Sequence, residues 1–134
     1  MTKELLIATD NNTLVRAEEF LNDFRSEYLI ELDNSFMNIL IAFTEAVNNA
    51  IYHGNKKDSN KKVLIRLEKN SKDFIIYVRD EGDGFVESEV PDPTLPENLL
   101  KQSGRGVFLI RKLTDDMNID STNSGTEVMM GFRL

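Results

Sequence analysis

Four short runs in this 134-residue chain carry side chains suited to chemistry. In the first, Glu45 and Asn49 stand four apart within an apolar-periodic stretch. With Glu45 set at zero and about 100° per residue, Asn49 falls near 40°, Asn48 near 300° and Tyr52 near 340°, while Phe36, Leu40, Phe43, Val47 and Ala50 gather around 180°. Glu45 and Asn49 therefore share a polar face opposite the expected core. On an arbitrary helix such a face is simply solvated. Here, however, Asn48 and Asn49 are poorer helix formers than the Lys or Glu usual at exposed positions. A carboxylate one turn from a carboxamide also offers a proton acceptor and an oxygen ligand for a hard cation together.

The second run, Arg79-Asp80-Glu81-Gly82-Asp83-Gly84-Phe85, leaves an alternating apolar strand. It reads as a charged turn, or as a place where paired glycines admit a flat ligand while Asp80 accepts a hydrogen bond from it. The third, Ser103-Gly104-Arg105-Gly106-Val107, opens a predicted helix. Backbone N–H groups freed by glycines before a helix can face an anion, which the helix dipole favours; an ordinary glycine turn has the same sequence. Lys101, Arg105, Arg111 and Lys112 fall in a stretch without acidic residues, a local basic cluster beside that position. The Gly-Lys-Ser/Thr ending of a Walker loop is absent, and no strand leads directly into the glycines as a dinucleotide fingerprint requires. The fourth run, Gly125-Thr126, is by itself a hairpin turn.

Composition narrows the classes of function. A net charge of -7 opposes general binding to a nucleic-acid backbone. One histidine and no cysteine leave no Cys/His metal cluster and no Ser-His-Asp or Cys-His nucleophile; His53 reads as a structural residue at a helix end. The longest apolar run, Ile39 to Phe43, is far short of the roughly 20 residues that span a bilayer. No signal-peptide pattern opens the chain, so a cytoplasmic protein is expected. The length suits one domain, residues 1–134, with a core that needs neither disulfide nor metal.

The elements that must position these runs follow from periodicity. Lys3 to Ala8 reads as a strand and Asn12 to Tyr28 as a helix; a second helix, with Asp33 as its N-cap, runs until Gly54 stops it. Val63-Ile65-Leu67 and Phe74-Ile76-Val78 alternate as the strands of a hairpin. Phe85 to Ser103 holds all three prolines without sustained periodicity, although Thr94-Leu95-Pro96-Glu97 resembles a capping box that would start a short helix through Leu100. Gly106 to Asp116 reads as a third helix, and Met117 to Leu134 as a closing hairpin turning at Asn123-Ser124-Gly125. The fold class is α/β (α+β), a two-layer sandwich with helices on one face of a mixed, mostly antiparallel sheet.

In combination, the four runs resemble, in order and spacing, the nucleotide-binding boxes of the GHKL ATPase superfamily. Glu45-Ala46-Val47-Asn48-Asn49-Ala50 with His53-Gly54 resembles the Asn-bearing box, Asp80-Glu81-Gly82-Asp83-Gly84 the Asp-x-Gly-x-Gly box, Gly104-Arg105-Gly106-Val107-Phe108-Leu109-Ile110 the second glycine box, and Gly125-Thr126 the closing pair. The Glu-Ala-Val-x-Asn-Ala-x-x-His-Gly and Gly-Arg-Gly-x-Phe-Leu-Ile runs are similar to those of the anti-sigma-factor serine kinases, the RsbW-like branch.

That resemblance implies a Bergerat ATP-binding fold with ATP and Mg²⁺ as cofactors. Asp80 would accept the adenine amino group, with Thr126 helping through an ordered water, and Gly82 and Gly84 would admit the adenine. Asn49 would supply an oxygen to Mg²⁺, Glu45 would be the general base, and Gly104, Arg105, Gly106 and Val107 would cradle the phosphates under a lid formed by 85–103. It further implies a protein serine/threonine kinase that phosphorylates a small antagonist protein and binds a sigma factor, commonly as a homodimer, with no direct contact to nucleic acid or membrane. The phosphoacceptor histidine and dimerisation helices of histidine kinases, and the transducer domains of gyrase-like ATPases, have no counterpart in these residues. A regulatory module that binds ATP and sequesters a partner without transferring phosphate is the alternative.

Overall fold

The computed structural model of the chain describes residues 1–32, 35–82 and 102–134, the last segment in side-chain detail from Gly106 onward. Among the described residues, five strands form one sheet: β1 Thr2–Ala8, β2 Lys62–Lys69, β3 Asp73–Arg79, β4 Asp116–Thr122 and β5 Gly125–Arg133, in the order β1-β2-β3-β5-β4. All four pairings between these strands are antiparallel, in keeping with the mostly antiparallel sheet expected from sequence. Alternation dictates the sidedness. Val63, Ile65 and Leu67 of β2, Phe74, Ile76 and Val78 of β3, and Val128, Met130 and Phe132 of β5 all turn to one face and are buried there.

Among the described residues, three α-helices cover that face: α1 Thr13–Tyr28, α2 Phe36–Asn48 and α3 Gln102–Leu113. The α1 stripe of Ala17, Leu21 and Phe24 and the α2 stripe of Phe36, Ile39, Phe43 and Val47 complete a continuous core with Ile110. Its far end is aromatic: Phe74 stacks between Phe24 at 5.5 Å and Phe132 at 6.4 Å. The start of α1 is held by Asp10, whose Oδ1 accepts from the Asn12 amide at 2.7 Å and whose Oδ2 meets Arg16 at 3.0 Å.

Two boundaries differ informatively from the periodicity. After Asn48 the second helix continues to Gly54 as a π-helical turn, Asn49–Gly54, closed by the Asn55 amide donating to the Ala50 carbonyl at 2.8 Å. The third helix begins at Gln102 and so contains Gly104, expected ahead of it, and places Gly106, expected as its first residue, inside its second turn. It stops at Leu113 instead of Asp116 because the Asp115 amide pairs with the Gly131 carbonyl at 2.9 Å, drawing the chain into the sheet. The predicted N-cap Asp33, the stretch from Asp83 to Lys101 and the short helix within it lie outside the described residues.

Candidate nucleotide site

Asp80 is the best-defined side chain of the site. It follows β3 directly and is only 6% exposed. Because β3 pairs with β5, the Asp80 amide donates to the Thr126 carbonyl at 2.9 Å, and the Thr126 amide donates back to Asp80 Oδ1 at 3.1 Å. The Gly82 amide donates to the same oxygen at 2.9 Å. One carboxylate oxygen is thus satisfied by backbone, and Oδ2 faces the backbone of Gly54.

Three glycines, widely separated in sequence, make this packing possible. A side chain at Gly54 would strike the Asp80 carboxylate, one at Gly82 the Gly54 carbonyl, and one at Gly125 the Asp80 carbonyl. Gly125 also holds φ +149, a conformation that residues with a Cβ rarely adopt. Gly54, read from sequence as a helix stop and as the end of the Asn-bearing box, packs directly on Asp80. The Thr126 hydroxyl, buried, lies 2.9 Å from the Ser121 hydroxyl across the β4–β5 pair.

Burial raises the Asp80 pKa above its ordinary value, against the lowering effect of the Gly82 and Thr126 amides and of Lys61 and Arg79. A carboxyl that binds its proton more tightly folded than unfolded costs stability once ionised. Its contribution is therefore most favourable below the ordinary aspartate pKa and declines as pH rises through the folded value. A contact that needs the carboxylate behaves oppositely. ATP affinity is expected to weaken on acidification, beginning at a higher pH than an ordinary aspartate would give. Calorimetric titrations from about pH 8 to 5 check this, and the Asp80→Asn variant should show no such step.

The second half of the site lies between α2 and α3. Glu45 and Asn49 are half-buried, not solvated as a face opposite the core would be. The reason lies beside them on α2: Ala42 and Ala46, fully buried, let α3 pack closely along that edge. A Cβ on Gly106 would come within 3.0 Å and 3.1 Å of the Asn49 amide nitrogen and oxygen and 3.2 Å of Glu45 Oε2. A glycine inside a helix costs about 1 kcal/mol relative to alanine, and here its bare Cα leaves room for two polar side chains. Gly106→Ala is accordingly expected to match or exceed wild type in thermal stability while lowering phosphate transfer about tenfold, since it presses directly on the proposed base and cation ligand. Melting curves and initial rates measured side by side test the split.

The remaining predicted residues divide. Val107 is buried beside Gly106. Gly104 lies within α3, but its contacts and the side chain of Arg105 fall outside the described detail, as does Gly84. Of the basic cluster, Arg111 and Lys112 occupy the last turn of α3, roughly 7.5 to 9 Å along the axis from Gly106, with Lys112 Nζ 5.3 Å from the Phe108 ring centre; Lys101 lies outside the described residues. His53 is exposed in the π turn.

One residue escaped the sequence reading. Asn55 is completely buried, donating through Nδ2 to Thr9 Oγ1 at 2.9 Å and the Lys62 carbonyl at 3.0 Å, and accepting at Oδ1 from the Glu81 amide at 2.7 Å. It sat in an Asn- and Lys-rich turn, where nothing in periodicity distinguishes a buried amide from a solvated one.

The described site tests the cofactors that the motifs imply. The buried Asp80 carboxylate offers an acceptor for the amino group of a base, and the Glu45–Asn49–Gly106 meeting point joins a hard oxygen donor with a carboxylate, which suits Mg²⁺ held mainly by phosphates and water. Among the described residues no helix is long and apolar enough to cross a membrane.

Fold and site together define a GHKL-type nucleotide-binding domain. The chain belongs to the histidine kinase-like ATPase domain family, whose pattern matches residues 7–132. It is 31% identical over 129 residues to the "Anti-sigma F factor" of Bacillus velezensis, covering 89% of this chain and 86% of that protein. It is 32% identical over 96 residues to the "Serine-protein kinase RsbW" of Bacillus subtilis, covering 67% of this chain and 59% of that one. Among solved structures, that of the RsbU and RsbW domains of Rv1364c from Mycobacterium tuberculosis superposes with a TM-score of 0.68 at 21% identity, covering 98% of this chain and 32% of that chain, which supports the fold.

Proposed function

We propose that the protein is an ATP-binding anti-sigma factor with protein serine/threonine kinase activity, which phosphorylates a small antagonist protein in the cytoplasm and thereby controls how long a sigma factor stays sequestered. The observation that carries the reading is the meeting of Glu45 and Asn49 beneath Gly106, a base and a cation ligand side by side on one helix edge. The names of the relatives support a serine kinase activity and a sigma-factor partner.

In this reading Asp80 binds the adenine amino group through its carboxylate, and Gly54, Gly82 and Gly125 let the surrounding chain pack closely enough to hold it. Thr126 fixes Asp80 from β5 and supports the base contact. Asn49 holds Mg²⁺ through its carboxamide oxygen, and Gly104, Arg105, Gly106 and Val107 carry the phosphates, with Gly84 beside the base. When bound, Mg²⁺ would neutralise phosphate charge. Glu45 takes the proton of the attacking serine hydroxyl.

Titration calorimetry with ATP, with and without Mg²⁺, tests the binding half. The expected result is saturable binding that Mg²⁺ strengthens, with a rise in melting temperature at saturating ligand. No heat and no thermal shift would make the chain a binding domain without a nucleotide.

A further inference from the structure

We propose that Asn55 is a positioning residue for base recognition: its hydrogen bond to the Glu81 amide sets the direction in which Asp80 presents its carboxylate. The proposal rests on the reading of Asp80 as the adenine acceptor and adds a residue that none of the nucleotide-binding runs contains. The Asn55 side chain is 0% exposed and joins the ends of three strands, reaching Thr9 after β1, Lys62 at the start of β2 and Glu81 after β3.

The peptide linking Asp80 to Glu81 is held at both edges. Its carbonyl oxygen occupies the space that a side chain on Gly125 would fill, and its N–H enters Asn55 Oδ1 at 2.7 Å. The preceding amide, that of Asp80, is tied to Thr126 at 2.9 Å, and the following one, that of Gly82, returns to Asp80 Oδ1. With these peptide planes fixed, the Asp80 Cα–Cβ direction is fixed too, Oδ1 turned to backbone and Oδ2 toward Gly54. Glu81 adds a second tether, its Oε1 accepting from the Lys62 amide at 2.6 Å.

The backbone goes out of its way to place Asn55 inward. Continued at about 100° per residue from Glu45, an α-helix would put residue 55 near 280°, away from the core centre at 180°. The π turn advances less per residue and rotates it inward. The chain then passes through Lys56 and Lys57 at φ 52 and 60, two successive left-handed non-glycine residues. Strain of that kind persists where surrounding structure over-determines it, and it collects at functional sites.

Alignment matters because a carboxylate accepts from the amino group of adenine but repels the carbonyl oxygen that guanine carries at the same position. A rigid Asp80 discriminates; one whose peptide plane can rotate lets water or a turned base relieve the clash. The test compares ATP and GTP affinities, by calorimetry, for wild type, Asn55→Ser, Asn55→Leu and Thr9→Val. Wild type should prefer ATP by about a hundredfold. Both Asn55 variants should lose about tenfold of that preference, the serine variant carrying the test if the leucine variant does not fold. Thr9→Val removes one Asn55 partner but leaves the Glu81 bond, so it should lower the melting temperature while keeping the preference within about twofold.

A folded Asn55 variant with wild-type preference overturns the proposal while leaving the reading of Asp80 intact. Wild-type protein with no preference for ATP overturns that reading and the proposal with it. Amide hydrogen exchange in the wild type gives a measure independent of the variants. The Glu81 amide should be protected like those of β3, and exchange at the rate of an exposed loop would contradict the clamp.

Discussion

Glutamine in place of Glu45 is expected to leave ATP binding nearly unchanged and to slow phosphate transfer by roughly a hundredfold or more. The separation follows from geometry. Glu45 stands on α2 with Asn49 one turn away and Gly106 against both, and among the described residues it shares no contact with the Asp80 cluster of Gly54, Gly82, Gly125 and Thr126 that would read the base. The amide is isosteric, so the contact with Gly106 and the close packing of α2 on α3 persist, while the ability to take a proton is lost. Equal affinities for Mg-ATP, measured by calorimetry, together with a fall in transfer to a cognate antagonist would establish the role. Undiminished transfer would remove Glu45 from the chemistry and make it a structural neighbour of Asn49.

Asparagine in place of Asp80 is expected to weaken ATP binding about ten- to hundredfold, from the loss of a charge-assisted hydrogen bond worth about 1.5 to 3 kcal/mol. The same change should leave the free protein as stable as wild type or more so. Its side-chain oxygen can still accept from the Gly82 and Thr126 amides, and a carboxylate disfavoured by burial disappears. Function and stability thus pull in opposite directions at this position, as they do where a site is held ready for a ligand. Melting temperatures without nucleotide and dissociation constants with it, taken on the same preparation, check both halves. Ordinary ATP affinity in the variant would count against the nucleotide reading as a whole.

Much of this was legible in the residues. Alternation in Val63-Ile65-Leu67 and Phe74-Ile76-Val78 assigned sheet faces because a strand's side chains have a period of two and only one face is covered. The 3.6-residue period of α2 put Glu45 and Asn49 on one face for the same kind of reason. What periodicity could not convey is how a neighbouring helix changes the surroundings of that face. Periodicity singles out neither Ala42 nor Ala46, yet both are buried beside that face, where α3 packs on α2 and leaves Glu45 and Asn49 half-buried. The α3 start was misplaced because glycine is a weak helix former. Gly106 is tolerated inside the helix, where its missing side chain makes room for Asn49 and Glu45. Asn55, and the contact of Gly54 with Asp80, were hidden by the π turn, whose extra residue per turn leaves no hydrophobic period to read.

The most direct test of the central claim is transfer of labelled γ-phosphate. The protein, Mg²⁺ and γ-labelled ATP are incubated with an extract of the cells that make it, and the labelled amino acid is identified. The account predicts phosphoserine on a small protein, formed with wild type and reduced roughly a hundredfold or more with Glu45→Gln. Label that appears on no protein, or on His53 of the chain itself, would contradict it.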